Sequence, residues 1–411
     1  MRRSLAAFAV ALVSVLACSS SSTSSSPAAD DPNVFQHDVM LSMSLTVPAA
    51  AELHQCQLVQ LPKGDDLNIV RFAHQYTPGS HHFLLYETDL TEIPPDLAGQ
   101  YDCTIGDEPV MAHTRSILYA AQTPKGNFPF PPGVGTTFKG GSVVMFQSHY
   151  INPGKDPIAA KVEFGLDTAP ADTIKEKAGF FLFYDPFIRL PPNGTAKSGI
   201  RCPVGNDIKV LMATSHYHQR GKTMKVYADL PGAPPSATPF YETNDWEHPQ
   251  EFKGPQDIAA GTTIRFNCEY DNTSEPTEIF QGPNAKTSEM CVLAGIYYPV
   301  APDPKWQTCN LPSIVGHGDQ SCYDVATCIQ KCPSSEAPHR TWSGVQVGPC
   351  WERCVASGCD GAVDTFLPLA SCIGKNCAAE CAAGPCTTCI TEKCAPSLET
   401  CSSHTCTAPG N

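Results

Sequence analysis

The sequence predicts an all-β protein with two antiparallel, jelly-roll-like β-sandwich domains, followed by a small, disulfide-rich, helical C-terminal module. Three observations predict this class. Short apolar and β-branched runs alternate with Pro, Gly, Asn and Asp clusters between residues 33 and 312. No long stretch of helical period interrupts these runs. Beyond residue 312 cysteines are closely spaced in a sequence rich in Ala, Glu and Lys.

The first 18 residues are typical of an export signal. Two arginines precede an apolar run, Leu5 to Leu16, that is too short to span a membrane. The run ends in VLAC, which resembles a bacterial lipobox with Cys18 as the lipidated residue; an ordinary cleaved signal is the alternative. The Ser/Pro-rich residues 19–32 would then form a tether. We expect an exported protein, lipid-anchored to the bacterial outer membrane and facing the periplasm or the exterior.

Composition limits the partners and the compartment. The chain has 411 residues and a net charge of -14, so electrostatic binding to nucleic acid or to an anionic membrane surface is not expected. Membrane contact is predicted through the lipid anchor alone. Twenty-one cysteines indicate an oxidising compartment. Without Cys18 an even number remains, which allows complete pairing.

The strand-rich part divides into two predicted domains. Runs such as HHFLLYE, GSVVMFQSHYI, AGFFLFYDPFI and IKVLMATSHYH have the length and composition of strands in β-sandwiches. A polar, charged break at 167–178 separates them into an N-terminal sandwich, 33–170, and a C-terminal sandwich, 171–312. Residues 313–411 form the Cys-rich module.

The cysteines of this module recur at spacings that place neighbours on one helical face, as in CWERCVASGC and CIGKNCAAEC. Short helices joined by about seven disulfides are expected, with a connectivity that the sequence leaves open. A metal-thiolate cluster is the alternative, although thiolates oxidise in such a compartment. The module could also bind a protein partner.

Three histidine segments are candidate metal ligands. His81 and His82 are adjacent at the start of a strand, so both can face one ion only if a bulge re-aims one of them. His149 ends an alternating run. His216 and His218 are i and i+2, so on a strand both rings leave the same face. Each could instead be an ordinary polar residue of a strand or hairpin.

A fourth segment changes this interpretation. Met290 adjoins Cys291 in TSEMCVLAGIYYPV. With HH, QSHYINP and HYHQRGK in this order and spacing, residues 33–312 resemble the copper type II, ascorbate-dependent monooxygenases. That family includes peptidylglycine α-hydroxylating monooxygenase and dopamine β-monooxygenase.

The resemblance implies two copper ions in separate sites. His81, His82 and His149 would hold an electron-transfer copper in the first sandwich. His216, His218 and Met290 would hold the copper that binds dioxygen in the second. A thioether favours Cu(I), so Met290 would distinguish the two ions. The implied reaction hydroxylates a C–H bond with O2 and a one-electron reductant such as ascorbate, using two uncoupled coppers. The implied disulfides are Cys56–Cys103, Cys202–Cys309 and Cys268–Cys291.

Residues around the implied coppers match the family in part. Gln147 corresponds to a glutamine near the electron route, whereas His54 stands where the family has an aromatic residue. The peptide enzyme holds a carboxylate with Arg, Asn and Tyr, where this chain has Thr214, Val292 and Ala294. Without a guanidinium, a carboxylate is held poorly. We therefore expect a small-molecule substrate that is not a peptide carboxylate.

Two other functions remain possible from the sequence. A non-catalytic copper-binding or carrier lipoprotein would need the ligands but no substrate pocket, and it would have no obvious need for a methionine in only one site. A zinc hydrolase would need a general base, and no carboxylate motif accompanies the histidines.

Overall fold

A computed structural model describes residues 35–104, 109–300, 307–309, 313–333, 336, 340–342, 345–383 and 386–406. The predicted export signal, Cys18 and the tether lie outside these residues. The chain from His37 onward forms one compact unit. In the part of the chain that the structure describes, no helix is both long enough and apolar enough to cross a membrane.

The first sandwich contains two mainly antiparallel sheets. Its strands are β1 (Val39–Val47), β2 (Ala51–Gln60), β3 (Leu67–Tyr76), β4 (Ser80–Thr88), β5 (Gln100–Asp102), β6 (Thr114–Ala121), β7 (Lys125–Pro129), β8 (Val134–Phe138), β9 (Val143–Asn152), β10 (Ile158–Thr168) and β11 (Glu176–Lys177). One sheet has the order β1-β10-β3-β8-β11 with β7 beside β3, and the other has the order β5-β2-β9-β4-β6.

The second sandwich repeats this plan. Its strands are β12 (Gly179–Tyr184), β13 (Arg189–Leu190), β14 (Thr195–Pro203), β15 (Ile208–His216), β16 (Gly221–Asp229), β17 (Tyr241–Thr243), β18 (Phe252–Ile258), β19 (Thr263–Asp271), β20 (Ile279–Phe280), β21 (Val292–Tyr298) and β22 (Ser313–Ile314). The sheets are β12-β21-β15-β18 and β17-β16-β19-β14-β22, with β13 and β20 as a separate pair.

Two strands lie beyond the domain boundaries that the sequence suggested. β11 follows residue 170 but pairs in parallel with β8 of the first sandwich. β22 follows residue 312 but pairs with β14 of the second. Both strands are only two residues long, so their apolar pattern is too short to assign them to a sheet from the sequence.

The side chains of the outer strand β1 alternate between buried and exposed positions, whereas the central strands are buried on both faces. β1 alternates buried and exposed residues along its length, as expected when one face meets the core. By contrast β9, β15 and β21 are buried at nearly every position. The reason is that the sandwiches pack against each other: Met212 and Ile296 of the second belong to the same buried cluster as Phe146 of the first.

The C-terminal module is helical. Its elements are α1 (Cys322–Gln330), β23 (Arg340–Trp342), β24 (Val345–Val347), α2 (Pro349–Ala356), α3 (Ala362–Asn376), α4 (Ala378–Ala383), α5 (Thr387–Lys393) and α6 (Ala395–Ser403). Ser321 caps α1, because its side chain accepts from the Asp324 amide while the Asp324 carboxylate accepts from the Ser321 amide.

All fourteen cysteines of the module are paired. The disulfides are Cys322–Cys401, Cys328–Cys354, Cys332–Cys350, Cys359–Cys406, Cys372–Cys394, Cys377–Cys389 and Cys381–Cys386. Cys322–Cys401 and Cys328–Cys354 join different helices, and each of the other five has at least one cysteine in a segment outside the helices. These bonds supplement a core too small to stabilise the module alone. The sandwiches contain Cys56–Cys103, Cys202–Cys309 and Cys268–Cys291, the three pairs that the family resemblance implied.

Candidate metal centre

Six histidines from five segments converge between the two sandwiches. His54 lies on β2, His81 and His82 on β4, His149 on β9, His216 at the end of β15, and His218 in the turn that follows. Neighbouring rings have centroids between 3.6 and 6.2 Å apart. All five histidines that the sequence singled out are thus brought together, and His54 joins them.

A β-bulge allows both adjacent histidines to reach the cluster. In the pairing of β4 with β9, Ser80 lies opposite Tyr150 and His82 opposite His149, which leaves His81 as an extra residue. Such a bulge turns one side chain away from the strict alternation of a strand. The rings of His81 and His82 accordingly lie 5.5 Å apart.

The His-x-His pair is placed by a tight hairpin. β15 ends at His216, and the Gly221 amide donates to the His218 carbonyl oxygen as β16 begins. A Cβ atom at position 221 would lie 2.0 Å from the Tyr217 ring, so the hairpin requires glycine there. The two imidazoles consequently lie 5.4 Å apart.

The ligand atoms form two groups of three. His54, His82 and His149 have ligand atoms within 4.8 Å of one another, and so do His81, His216 and His218. This differs from the assignment that the family resemblance implied, because His81 stands with the second-sandwich pair and His54 takes its place in the first group. The implied ligand sets remain a prediction.

The two groups are also neighbours. The His82 and His216 rings are 4.9 Å apart, and His81 contacts His149 at 5.2 Å between centroids. In this arrangement no open cleft separates the described histidines. The uncoupled character of the two predicted coppers remains a prediction.

The cluster has the chemistry of a metal site. Buried ring nitrogens of five histidines have no hydrogen-bond partner among the described residues: His54 Nε2, His81 Nδ1 and Nε2, His82 Nδ1, His149 Nδ1 and His218 Nε2. Unpaired buried polar atoms are costly in a folded protein, and a bound ion would satisfy them. Imidazole nitrogens suit copper, so the residues present fit this metal.

In three of the histidine rings, a hydrogen bond to one nitrogen determines which other nitrogen can bind a metal. His149 donates from Nε2 to the Glu52 carboxylate at 2.9 Å, and His218 donates from Nδ1 to the Ser288 carbonyl at 2.9 Å. His216 donates from Nδ1 to Oε1 of Gln122 at 2.7 Å. In a neutral imidazole the other nitrogen then carries the lone pair, which is the usual arrangement around a metal.

Burial keeps these rings neutral. Desolvation lowers the pKa of His81 from 6.5 to about 3 and that of His218 to about 4, and the neighbouring histidines lower the pKa of His81 further. The pKa values of His82, His149 and His216 lie well below 6.5 for the same reasons. Protons therefore compete weakly with a metal for these nitrogens at neutral pH.

Hydrogen bonds across the sandwich interface help to orient His216 and His149. Gln122, which follows β6 of the first sandwich, accepts from His216 and donates to the Ser215 carbonyl oxygen. Conversely, Asn284 and the amide of Ala285 in the second sandwich donate to Glu52, each at 2.9 Å. Glu52 in turn orients His149. The two histidine groups are thus braced by contacts across the sandwich interface.

Glu289 is a second carboxylate near the cluster. It is fully buried, and its oxygens accept from the backbone amides of His218 at 3.0 Å and Arg220 at 2.9 Å. Burial raises the pKa of Glu289 to about 7. Neither Glu289 nor Glu52 lines the adjoining cavity, so neither is positioned as the general base that a hydrolase would need.

A cavity of about 810 Å³ opens beside the cluster. His54, His82, His216 and Met290 contribute to its wall. Its apolar lining includes Leu84, Tyr86, Met111, Ile117, Leu182, Tyr184, Phe280 and Val292. Pockets of this size and composition bind small molecules.

Among the described residues that line the cavity, the carboxylates are those of Asp185 and Glu278, and both have partners. Asp185 accepts from the amides of Phe187 and Gly199, and Glu278 pairs with Arg189 and Arg353. No lysine or arginine contributes to the lining formed by the described residues. Thr214, Val292 and Ala294, which replace the family's carboxylate clamp, all line this cavity.

Gln147 and His54, which the sequence analysis placed near the implied copper sites, occupy different positions. Gln147 lines the cavity and accepts from the Tyr86 hydroxyl at 3.1 Å. His54 stacks on His149, with ring centroids 3.6 Å apart. Glu52, Gln122 and Asn284 were missed by sequence reasoning, because each acts on a histidine or loop far away in the chain and no local pattern marks it.

The depressed histidine pKa values predict acid sensitivity of the metal-free protein. Unfolded histidines take up protons below about pH 6.5, whereas the buried rings stay neutral to lower pH. The free energy of unfolding should therefore fall as the pH drops from about 6.5 towards 4. Thermal midpoints of the metal-free protein at several pH values measure this, and His218→Gln should show a shallower slope. Equal midpoints across that range would contradict the prediction.

Fold and site together define an all-β protein with two adjacent histidine groups that could hold metal ions beside an apolar cavity. Comparison with known proteins agrees. Residues 183–315 match the model of the copper type II ascorbate-dependent monooxygenase, C-terminal domain. This match covers the second sandwich and supports a relationship to the copper type II, ascorbate-dependent monooxygenase family.

Individual relatives are distant. The chain is similar to DBH-like monooxygenase protein 1 of Homo sapiens, with 21% identity over 291 residues, covering 63% of this chain and 46% of that protein. It thus spans about half the length of the curated relative. Among solved structures, the major capsid protein P2 from Bacteriophage PM2 aligns at 10% identity and a TM-score of 0.24, covering 64% of this chain and 99% of that one. The PBSX exported protein XepA aligns at 6% identity and a TM-score of 0.18, covering 64% and 87%. Neither structural likeness is strong enough to carry an argument.

Proposed function

We propose that this protein hydroxylates a C–H bond of a small, uncharged, largely apolar molecule, using two copper ions, O2 and a one-electron reductant such as ascorbate. The observation that carries the proposal is the histidine cluster opening onto an apolar cavity through His82, His216 and Met290. A carrier protein has no need for such a cavity. The match of residues 183–315 to the family's C-terminal domain supports the copper chemistry.

The histidine cluster would hold the copper ions. The family resemblance assigns one ion to His81, His82 and His149 and the other to His216, His218 and Met290. The ligand atoms of His54, His82 and His149 also lie within 4.8 Å of one another, so His54 is a further candidate ligand. When bound, copper supplies the redox chemistry that activates O2.

The protein's own residues orient and enclose this centre. Glu52, Gln122 and the Ser288 carbonyl fix the rings of His149, His216 and His218, so each presents its lone pair to the cluster. Packing between the sandwiches buries four of the rings and keeps bulk water from them, namely those of His54, His81, His149 and His218. The cavity then holds the substrate against His82, His216 and Met290.

The substrate class follows from the charge of the cavity. Asp185 and Glu278 already have partners, and the described lining offers no cation to a carboxylate. An anionic substrate would lose its hydration without gaining a counter-charge. A neutral molecule with an aromatic or aliphatic body fits the lining instead.

Thr214→Arg should reverse this preference. Thr214 is buried at the cavity wall two residues before His216, and the substitution supplies the guanidinium that holds carboxylates well. We expect binding of an aromatic carboxylate to improve about tenfold or more relative to its neutral amide. Isothermal titration of both ligands measures this, with Thr214→Met as the uncharged control. Equal affinity of the unchanged protein for the two ligands would contradict the assignment.

The test of the function is ascorbate-dependent oxygen consumption coupled to product. The copper-loaded protein is incubated with a panel of neutral benzylic compounds and their carboxylate analogues. Product formation in proportion to oxygen consumed supports the enzyme. Stable copper binding without product supports the carrier alternative, and zinc bound in place of copper supports the hydrolase.

The cellular setting is also proposed. The lipobox at Cys18 and the disulfide-rich composition support an exported protein anchored by lipid to the bacterial outer membrane. Palmitate labelling that depends on Cys18 would test the anchor. A Cys18→Ala protein recovered in the membrane fraction with unchanged labelling would contradict it.

A further inference from the structure

The Cys-rich module lies directly behind one wall of the substrate cavity. In α2, Trp351 packs on Phe187 of the second sandwich, with ring centroids 5.4 Å apart. Two residues later, Arg353 donates from Nε to Glu278 Oε2 at 2.8 Å. Phe187 is held by the cavity residue Asp185 through its backbone amide, and Glu278 itself lines the cavity.

Glu278 begins the wall segment 278–282, in which every residue but Ile279 lines the cavity. Oε1 of Glu278 accepts from Arg189 Nε at 2.6 Å while Oε2 faces Arg353, so the carboxylate joins β13 to α2. The segment continues into β20, which pairs with β13, and the Gly282 amide donates to the Glu289 carbonyl oxygen. Met290 follows immediately.

Disulfides make α2 a rigid support. Cys328–Cys354 attaches it to α1, and Cys332–Cys350 attaches it to the segment that follows α1. Its inner face belongs to a buried cluster that includes Phe187 and Ile314 of the second sandwich. The module and the second sandwich therefore share one core, and the Arg353–Glu278 pair would transmit movement of α2 to residues 278–282.

We propose that the Cys-rich module positions the substrate cavity and that Arg353 is a positioning residue that sets substrate affinity through Glu278. The module acts on the shape of the wall and not on the histidine cluster. This assigns it a part in substrate selection, which goes beyond the proposed oxidation.

The test reverses the charge of Arg353. In Arg353→Glu, two carboxylates face each other and Glu278 must move, so the wall segment shifts. We expect the Kd of a neutral fluorescent probe, N-phenyl-1-naphthylamine, to rise about tenfold, with bound copper unchanged. Where turnover is measured, KM should rise and kcat should stay within about twofold. Arg353→Lys keeps the charge and should restore most of the affinity.

The matched control is Arg201→Glu. Arg201 makes a bidentate ion pair with Asp360 of the same module at 2.7 and 2.8 Å, and neither residue lines the cavity. This variant should lower the thermal midpoint as Arg353→Glu does but leave probe affinity unchanged. Equal effects of the two variants on the probe, or no effect of either, would overturn the proposal. Because probe binding needs no turnover, an inactive but probe-binding protein would overturn the proposed oxidation alone.

Discussion

Replacing His216 and His218 together with alanine is expected to lower bound copper from two ions to about one per chain. Both rings belong to the group completed by His81, and a single remaining imidazole binds copper far more weakly than three. Hydroxylation should fall by more than about 100-fold, since even residues that only orient metal ligands change activity by 10- to 100-fold. Elemental analysis and product assay measure the two effects.

His74→Ala is the matched control for this prediction. His74 is also a buried histidine, and its pKa is likewise lowered to about 4 by burial, but it bonds Tyr119 and the Thr123 carbonyl away from the cluster. The control should lose stability yet keep both coppers. A double variant at 216 and 218 that retains two coppers would show that these histidines are not ligands.

Glu52→Ala is expected to lower both the copper affinity and the stability of the interface between the sandwiches. Its largely buried carboxylate accepts from His149, Asn284 and the Ala285 amide, so its removal leaves three donors, including the buried His149 ring, without their acceptor. Copper affinity should fall about 10- to 100-fold, since the His149 ring loses its orienting partner. The free energy of unfolding should fall by about 3 kcal/mol. Chelator competition and denaturant titration provide the measurements.

Glu163→Ala serves as the comparison for Glu52. Glu163 lies on β10 of the first sandwich and pairs with Lys161 and Gln75, away from the histidines. Because this ion pair is partly exposed, its loss should cost less than about 1 kcal/mol and leave copper affinity unchanged. Similar losses of copper affinity in the two variants would show that Glu52 has no specific part in orienting His149.

Local pattern was sufficient to predict the strands and the helical module. Alternation along β1 and the apolar runs of β9 and β15 follow from the side-chain period of a strand. The requirement for a bulge at His81 also followed from this period, and the register shift between Ser80 and His82 provides it. The closely spaced cysteines indicated short helices, and the module contains them.

Contacts between distant segments could not be predicted in this way. Gln122 is 94 residues from His216, and Asn284 is 232 residues from Glu52. Neither pairing has a period or spacing that a sequence pattern would record. The grouping of His54 with His149 depends on the register of β2 against β9, which places the two residues directly opposite each other. The docking of Arg353 on Glu278 likewise depends on packing between modules.

We propose that the histidine cluster holds two coppers and that these insert oxygen into a C–H bond of a neutral substrate bound in the adjoining cavity. The most direct measurement is mass spectrometry of product formed under ¹⁸O2 by the copper-loaded protein with ascorbate. We expect a hydroxylated product that carries one ¹⁸O atom, formed by protein with two coppers per chain. Product oxygen derived from water, or copper-loaded protein that yields no product from any neutral substrate, would contradict it.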